Sequence, residues 1–427
     1  MFSGHKAVLG ENYEDTFDIT VKAEDFKFGI ERTLSEQTGS ADAPLFSAVK
    51  SISTPDDFTI VFNLSYADDN FLYALTNPGA MPCDEEFFNL TNGKYGLDAK
   101  YLLCNGPFHV SKWTEKTSVK LAKNNEYNGE SSVSPSSVTF YINNDDSEVA
   151  DKMNSVTYDV AFLSSSQFSS IENKKDLNSV AVQNVTYSFI FNQNDNNYRN
   201  KNMRLAFCRS CDTSSLFDSQ SDISKADGIV PPSCKIGGED YRNGNAAELL
   251  SYDETLAKKN FNDALLELGS SSVETTILCT EQYEPFVKQM VQKLQKTLGV
   301  KFVSTVKVVS ESDLEAAVND GNYSVAFYPF KAKSSFAGEI IEVFDQNNIF
   351  GYESDVLSQK IRNIKNNSGS LEGERSAVAD AENYLVSEAV IMPVFYENSY
   401  FVTSKKTSGI YFYSSADNVC FINAKKS

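Results

Sequence analysis

An α/β fold built on more than one hydrophobic core is what this sequence predicts, on three observations. The chain runs to 427 residues, too long for one ordinary core. Hydrophobic residues make up 41% of it and aromatic ones 12%, enough apolar surface for well-buried interiors and unlike a disordered chain. From Glu274 onwards strand-like and helix-like stretches alternate, the pattern of a parallel or mixed sheet covered by helices.

The elements follow from local pattern. Ala23 to Leu34 spaces Phe26, Ile30 and Leu34 at helical intervals with acids in the first turn, which predicts an amphipathic helix. Phe58 to Leu64 and Val138 to Ile142 alternate as strands do. Asn202 to Leu216 reads as a helix packed by Met203, Leu205 and Phe207. Then come a strand from Glu274 to Cys279, a helix from Tyr283 to Leu298, a strand from Val300 to Val309, a helix from Ser312 to Asn319 and a strand from Ser324 to Tyr328. Turn-forming stretches at Ser131–Ser137, Asn192–Asn202, Gly237–Asn245 and Asn366–Gly373 separate these elements, with no internal repeat. Ligands on such sheets sit beyond the carboxyl ends of the strands.

Charge and motif content exclude several functions. A formal charge of −20 and no long Lys/Arg run set nucleic acid aside as a partner. No stretch is apolar enough to span a bilayer, and the opening residues lack the pattern of a signal peptide. With two histidines, His5 and His109, and no G-x-S-x-G elbow, serine or cysteine hydrolase chemistry has nothing to stand on. His109 alternates with Phe108 and Val110 as an outward-facing strand residue. Cys208-Arg-Ser-Cys211 has the spacing of a redox pair or half a zinc site but lacks the second half that zinc needs. Structural thiols are the expectation there, with a local disulfide to Cys234 as one option, and Cys83 with Cys104 as another pair whose separation the sequence does not give. Acid pairs such as Asp56-Asp57 read as solvated faces. Calcium loops and phosphate-binding Gly-rich loops are absent from the sequence, so no metal or cofactor is expected.

Taken in order, several segments carry a family likeness: FSGHKAVLG, ITVKAEDFKFGIERTL, MPCDEEFFNLTNGKYGLDAKYLLCNGPFHVSKW, KNNEYNG, YDVAFL, SFIFNQND, NKNMRLAF, GIVPP, LLELG, YSVAFYPF, FGYESDVL and IMPVFY. The series resembles the extracytoplasmic solute-binding proteins of peptide-importing ABC transporters, the oligopeptide/dipeptide-binding group of family 5, in its Gram-positive form. The likeness implies a two-lobed periplasmic-binding-protein-like (type II) fold with mixed sheets and a hinge. Met1 to Tyr187 with Pro393 to Ser427 would form the first lobe and Ser188 to Met392 the second, with crossings near Phe191-Asn192 and Met392-Pro393. Asn-Gly-Pro-Phe at Asn105–Phe108 would be a connection within the first lobe, with Trp113 packing beside it. NKNMRLAF is similar to the family's "R-x-A" helix, with Arg204 and Ala206 in place.

The resemblance implies binding without catalysis. A monomer would trap a short peptide or other small solute between its lobes and deliver it to membrane permease subunits. Asn192, Phe327, Tyr328, Phe330 and Lys333 are the candidate ligand-binding residues, with core packing the competing reading for the aromatics. Many members follow an aromatic in this loop with an Asp that anchors the peptide's amino terminus. Here Lys333 stands there and no acid comes before Glu339, a charge reversal that admits a non-peptide solute as the alternative. Such proteins also carry an export signal with a lipid-attachment Cys and an opening part of the first lobe ahead of the point where Met1 stands. The first lobe is therefore expected to be incomplete at its N-terminus. Location would be extracytoplasmic, at the cell surface as an anchored lipoprotein or in the periplasmic space. A shortened copy would instead be a non-transporting surface protein.

Overall fold

A computed structural model describes the chain except for residues 5–17, 19, 41, 66–70, 130–131, 143–145, 214–215, 218–220, 333–335, 347, 368–369 and 414–417. The chain divides into two compact units, Met1–Val149 with Lys405–Tyr411 and Val419–Ser427, and Ala150–Ser404 with Phe412–Asn418.

In the first unit the helix Ala23–Leu34 forms where its apolar spacing predicts. The Lys22 N–H donates to the Asp25 carboxylate at 2.7 Å, occupying an amide the first turn cannot satisfy itself. The mid-helix Gly29 has a steric reason: a Cβ there would stand 2.2 Å from the Met81 carbonyl oxygen. The helix face carrying Ile30 closes over Phe46, Phe71, Ala74 and Ala80, with Ile52, Phe62 and Leu64 of the antiparallel hairpin Val49–Asp56/Thr59–Leu64 packed against them. Strands Phe108–Thr114, Ser118–Lys123 and Ser137–Tyr141 make an antiparallel sheet. His109 is partly buried in it, its Nδ1 3.3 Å from the Ser3 hydroxyl. Trp113, expected to pack, keeps 42% of its surface exposed opposite Val119.

The second unit is organised by a six-stranded mixed sheet in the order Ile223–Lys225, Ile391–Glu397, Val185–Phe191, Val325–Lys331, Val273–Cys279, Phe302–Val308. The Val273 strand is parallel to both of its neighbours and the other pairings are antiparallel. Period-two alternation gives the sheet two buried faces. On one, Phe189, Phe191, Ile277, Val325, Phe327 and Phe395 meet helices Lys201–Ser210, Glu254–Leu268 and Glu284–Leu298. On the other, Ile190, Leu278, Ala326, Phe330 and Ile391 meet helices Glu311–Asn319, Asp355–Asn366 and Leu371–Ser387. A second, antiparallel sheet runs Val160–Ser164, Ser399–Ser404, Leu177–Val182.

Two interior ions are each held by four hydrogen bonds. The buried Arg204 guanidinium donates to the carbonyls of Tyr198, Arg199, Glu388 and Ala389 at 2.8–3.1 Å, while Ala206 lies fully buried in the same helix. The Arg-x-Ala pattern is thus a structural device that ties one helix to the end of another. Glu382, buried to 1% exposure, pairs with both terminal nitrogens of Arg242 and also accepts from Tyr241 Oη and the Val230 N–H at 3.0 Å each. Every strong lone pair of that carboxylate is occupied, as burial of a charge demands.

Two expectations need correcting, and the expected structural thiols are free. The helix expected over Asn202 to Leu216 ends at Ser210, because Cys211 turns extended (φ −106°, ψ 110°). The strand expected to stop at Tyr328 runs on to Lys331, paired with Val185. None of the seven cysteines is in a disulfide. Cys208 and Cys211 lie in the core on one face of the main sheet and Cys234 in the core on the other, so the local bridge has no geometry to form.

Candidate functional site

Strands Val273–Cys279, Val325–Lys331 and Ile391–Glu397 all end at one edge of the main sheet, where Val185–Phe191 begins; Lys331 pairs with Val185, and Tyr396 with Thr186. This is the edge at which open α/β sheets bind ligands. Alternation puts Tyr187, Phe327, Lys331, Phe395 and Glu397 on the same face.

The Tyr187 ring lies 4.4 Å from that of Tyr283, 5.1 Å from Phe395 and 5.5 Å from Phe327. At the rim of this aromatic cluster Glu397 is partly buried, and its Oε1 accepts from Tyr283 Oη at 2.6 Å. Burial pushes the Glu397 carboxyl above its ordinary range; the Tyr283 hydrogen bond and Lys331 draw it back, while Glu311 and Asp222 push it further up. Burial likewise raises the phenols of Tyr187 and Tyr283, so Tyr283 stays a donor at neutral pH. Beside this cluster Gln183 Nε2 donates to Ser224 Oγ at 2.8 Å and to Asn398 Oδ1 at 2.7 Å, pinning together the turns that carry the edge.

The sequence candidates fall on these strands. Asn192 is buried, with its amide nitrogen donating to the Gly321 and Tyr323 carbonyls at 2.8 Å and its oxygen accepting from the Asn194 N–H. Phe327 is 1% exposed in one core and Phe330 5% exposed in the other. Tyr328 is partly buried, its ring edge-on to Phe330 at 5.6 Å. Lys333 lies outside the described residues. Tyr187, Tyr283 and Glu397 were not singled out in the sequence. The signal was the acid closing the IMPVFYE strand, but its neighbours come from segments far away in the chain.

Thiols deep in the second unit are held inert. Burial pushes the Cys208, Cys211 and Cys234 thiols up to about 12 and Cys279 up to about 11, leaving them protonated and unreactive. Among the described residues no group of three or more His, Cys, Asp or Glu is placed to hold a metal ion, and no helix is long and apolar enough to cross a membrane.

Comparison with known proteins places this geometry. The model of the bacterial extracellular solute-binding proteins, family 5 Middle, matches residues 16–349. The dipeptide-binding protein DppE of Bacillus subtilis is 23% identical over 425 residues, a match spanning 94% of this chain and 77% of the relative. Among solved structures, the periplasmic binding protein DppA of Helicobacter pylori in complex with peptide STSA superposes with a TM-score of 0.78 at 18% identity, covering 100% of this chain and 84% of that one. OppA of Listeria monocytogenes bound to peptide gives 0.76 at 21% identity, covering 95% and 84%. The fold is that of the type II periplasmic solute-binding proteins, α/β with mixed sheets.

Proposed function

This chain belongs to the bacterial extracellular solute-binding proteins of family 5, and from that premise we propose that it captures extracellular peptides in a cleft between two lobes and delivers them to the permease subunits of an ABC importer. It acts as a monomer, outside the cytoplasm, by binding and release with no covalent step. Differential contact in open and closed states would supply the signal that the permease reads. The observation that carries this reading is the edge of the main sheet, where Tyr283, Glu397 and Lys331 present polar groups above an aromatic floor. A curated relative that is a dipeptide-binding protein supports the ligand class.

The lobe division proposed is Met1–Tyr187 with Pro393–Ser427 against Ser188–Met392. Its two crossings, near Phe191-Asn192 and Met392-Pro393, would fall at neighbouring strands, since Ile190 pairs with Ile391, which suits a hinge made of two adjacent segments. Among the residues offered as ligand-binding, Tyr328 is the direct contact. Asn192, Phe327 and Phe330 hold its strand in place, and Lys333 is the cation of the following loop. That cation favours a second reading, capture of an acidic non-peptide solute, which titration calorimetry against acidic and neutral solutes separates from the first.

Thermal unfolding against a randomised tetrapeptide pool tests the main reading. Binding to the folded state alone stabilises it by RT ln(1 + [L]/Kd), about 2.7 kcal/mol at a hundredfold excess over Kd. A clear rise in Tm is expected; a cooperative transition that no peptide moves would refute peptide capture.

A further inference from the structure

One end of the three-stranded sheet in the first unit combines features that peptide capture leaves unused. Trp113, Phe140, Tyr141 and Ile142 lie there with 42% to 57% of their surfaces exposed. Lys112 and Lys120 face each other across the strands Phe108–Thr114 and Ser118–Lys123, and Lys116 stands in the turn between them. We propose that this end of the sheet docks on an anionic lipid bilayer, its aromatic side chains entering the headgroup layer and its three lysines meeting lipid phosphates. The inference is independent of the peptide-binding reading and uses none of its residues.

For the folded chain on its own the arrangement is unfavourable. Like charges directly opposite on neighbouring strands repel. None of the three lysines has an ion pair among the described residues, whereas Lys22 and Lys27 of the same unit do. A bulge produces the pairing: the register shifts between Val110 and Lys112, which sets Lys112 against Lys120 and Trp113 against Val119. Bulges re-aim side chains in this way. Without the shift Ser111 would face Lys120; instead its hydroxyl donates to the Lys120 carbonyl at 3.0 Å and holds the bulge.

The two sets of side chains meet at the tip. Alternation sends Trp113, Val119 and Phe140 to one side of the sheet and Lys112, Lys120 and Thr139 to the other. Near the turn both sides end together, and the Ile142 N–H, donating to the Thr117 carbonyl at 2.9 Å, keeps the third strand level with it. A surface met end-on therefore touches rings and ammonium groups at once. That combination suits a bilayer interface, where Trp and Tyr rings settle among headgroups and lysine stems lie along apolar surface with the charge in water. An acidic protein surface would match the lysines alone.

Charge agrees locally, although the chain as a whole carries −20. From Lys112 to Lys120 there are three lysines and one acid, Glu115. Screening leaves a reach of only about 8 Å at physiological salt, so a bilayer at this tip feels the lysines and little of the more distant carboxylates.

Trp113 is the only tryptophan of the chain, so it serves as its own probe. The purified chain is mixed with vesicles of phosphatidylcholine alone, or of equal parts phosphatidylcholine and phosphatidylglycerol, and tryptophan emission is read alongside co-sedimentation. Anionic vesicles should carry the protein down and shift its emission to the blue; neutral vesicles should do neither. Salt at about 1 M, where the screening length falls to about 3 Å, should release it. Replacing both cations, Lys112→Gln with Lys120→Gln, should weaken partitioning about 25-fold, at about fivefold for each lysine. Sedimented protein with unchanged emission overturns the proposal, because another surface is then bound. It also falls if anionic vesicles bind nothing, if neutral ones bind equally, or if the double variant keeps its affinity. Should that variant not fold, emission and salt dependence of the wild type still decide.

Discussion

Two carboxylates in the second unit, Glu382 and Glu397, show opposite solutions to burying a charge. Glu382 is enclosed by Arg242, Tyr241 and the Val230 amide, and Gly228 lies so close that a Cβ there would meet Arg242 Nη2 at 2.2 Å. No lone pair is left for anything else. Glu397 sits at an edge with one phenol as partner and part of its surface in solvent. A satisfied ion of the first kind holds structure together, and an under-satisfied one of the second kind has capacity for a ligand.

The contrast can be broken first at Glu382. Glu382→Gln leaves Arg242 buried without its counter-charge and should cost about 3–5 kcal/mol, read as a lower urea midpoint; a loss as small as that of a surface substitution would show the pair to be idle. Arg204→Met strands four carbonyls and should cost about 2–4 kcal/mol in the same measurement. Glu397→Gln should cost about 1 kcal/mol or less, since the glutamine oxygen can still accept from Tyr283 and only the charge is lost at a partly exposed site, and a cost matching Glu382→Gln would mean that the two carboxylates are held alike.

A third carboxylate, in the first unit, sharpens the comparison through pH. Burial pushes Asp25 up to about 6 from an ordinary value of 3.8, against the opposing Lys22 N–H bond. Its folded pKa lies above the unfolded one, so its contribution is present in full below pH 3.8 and is lost as pH rises through about 6. Wild-type protein should therefore lose stability relative to Asp25→Asn between pH 4 and pH 6, seen as diverging urea midpoints. Parallel midpoints across that window would remove Asp25 from the account.

Much of the fold was legible because local rules agreed with tertiary ones. The helix Glu284–Leu298 has Pro285 at its first turn, apolar residues at helical spacing and Gly299 with positive φ just beyond it, so pattern alone located it. The Ala23–Leu34 helix was legible for the same kind of reason. The edge at Glu397 was not, because period-two alternation reveals which face a residue takes and not which strand lies beside it. Tyr187, Tyr283 and Glu397 meet through pairings between residues 185–191 and 391–397 and through a helix start between them in sequence. Phe327 and Phe330 illustrate the same limit: an aromatic at a strand end looks alike in sequence whether it faces a core or a ligand.

The order of the strands also governs when the molecule can assemble. Ile391–Glu397 lies between two partners in the main sheet, and Ser399–Ser404, directly after it, is the middle strand of the other. Both sheets wait for residues 391–404, with Ile190 unpaired on that side until Ile391 has been made. Synthesis thus passes through a nascent form with open strand edges, prone to pair with other chains. A stop codon at position 391 would remove the central strand of one sheet and an interior strand of the other at a stroke, and leave the second unit without a way to close.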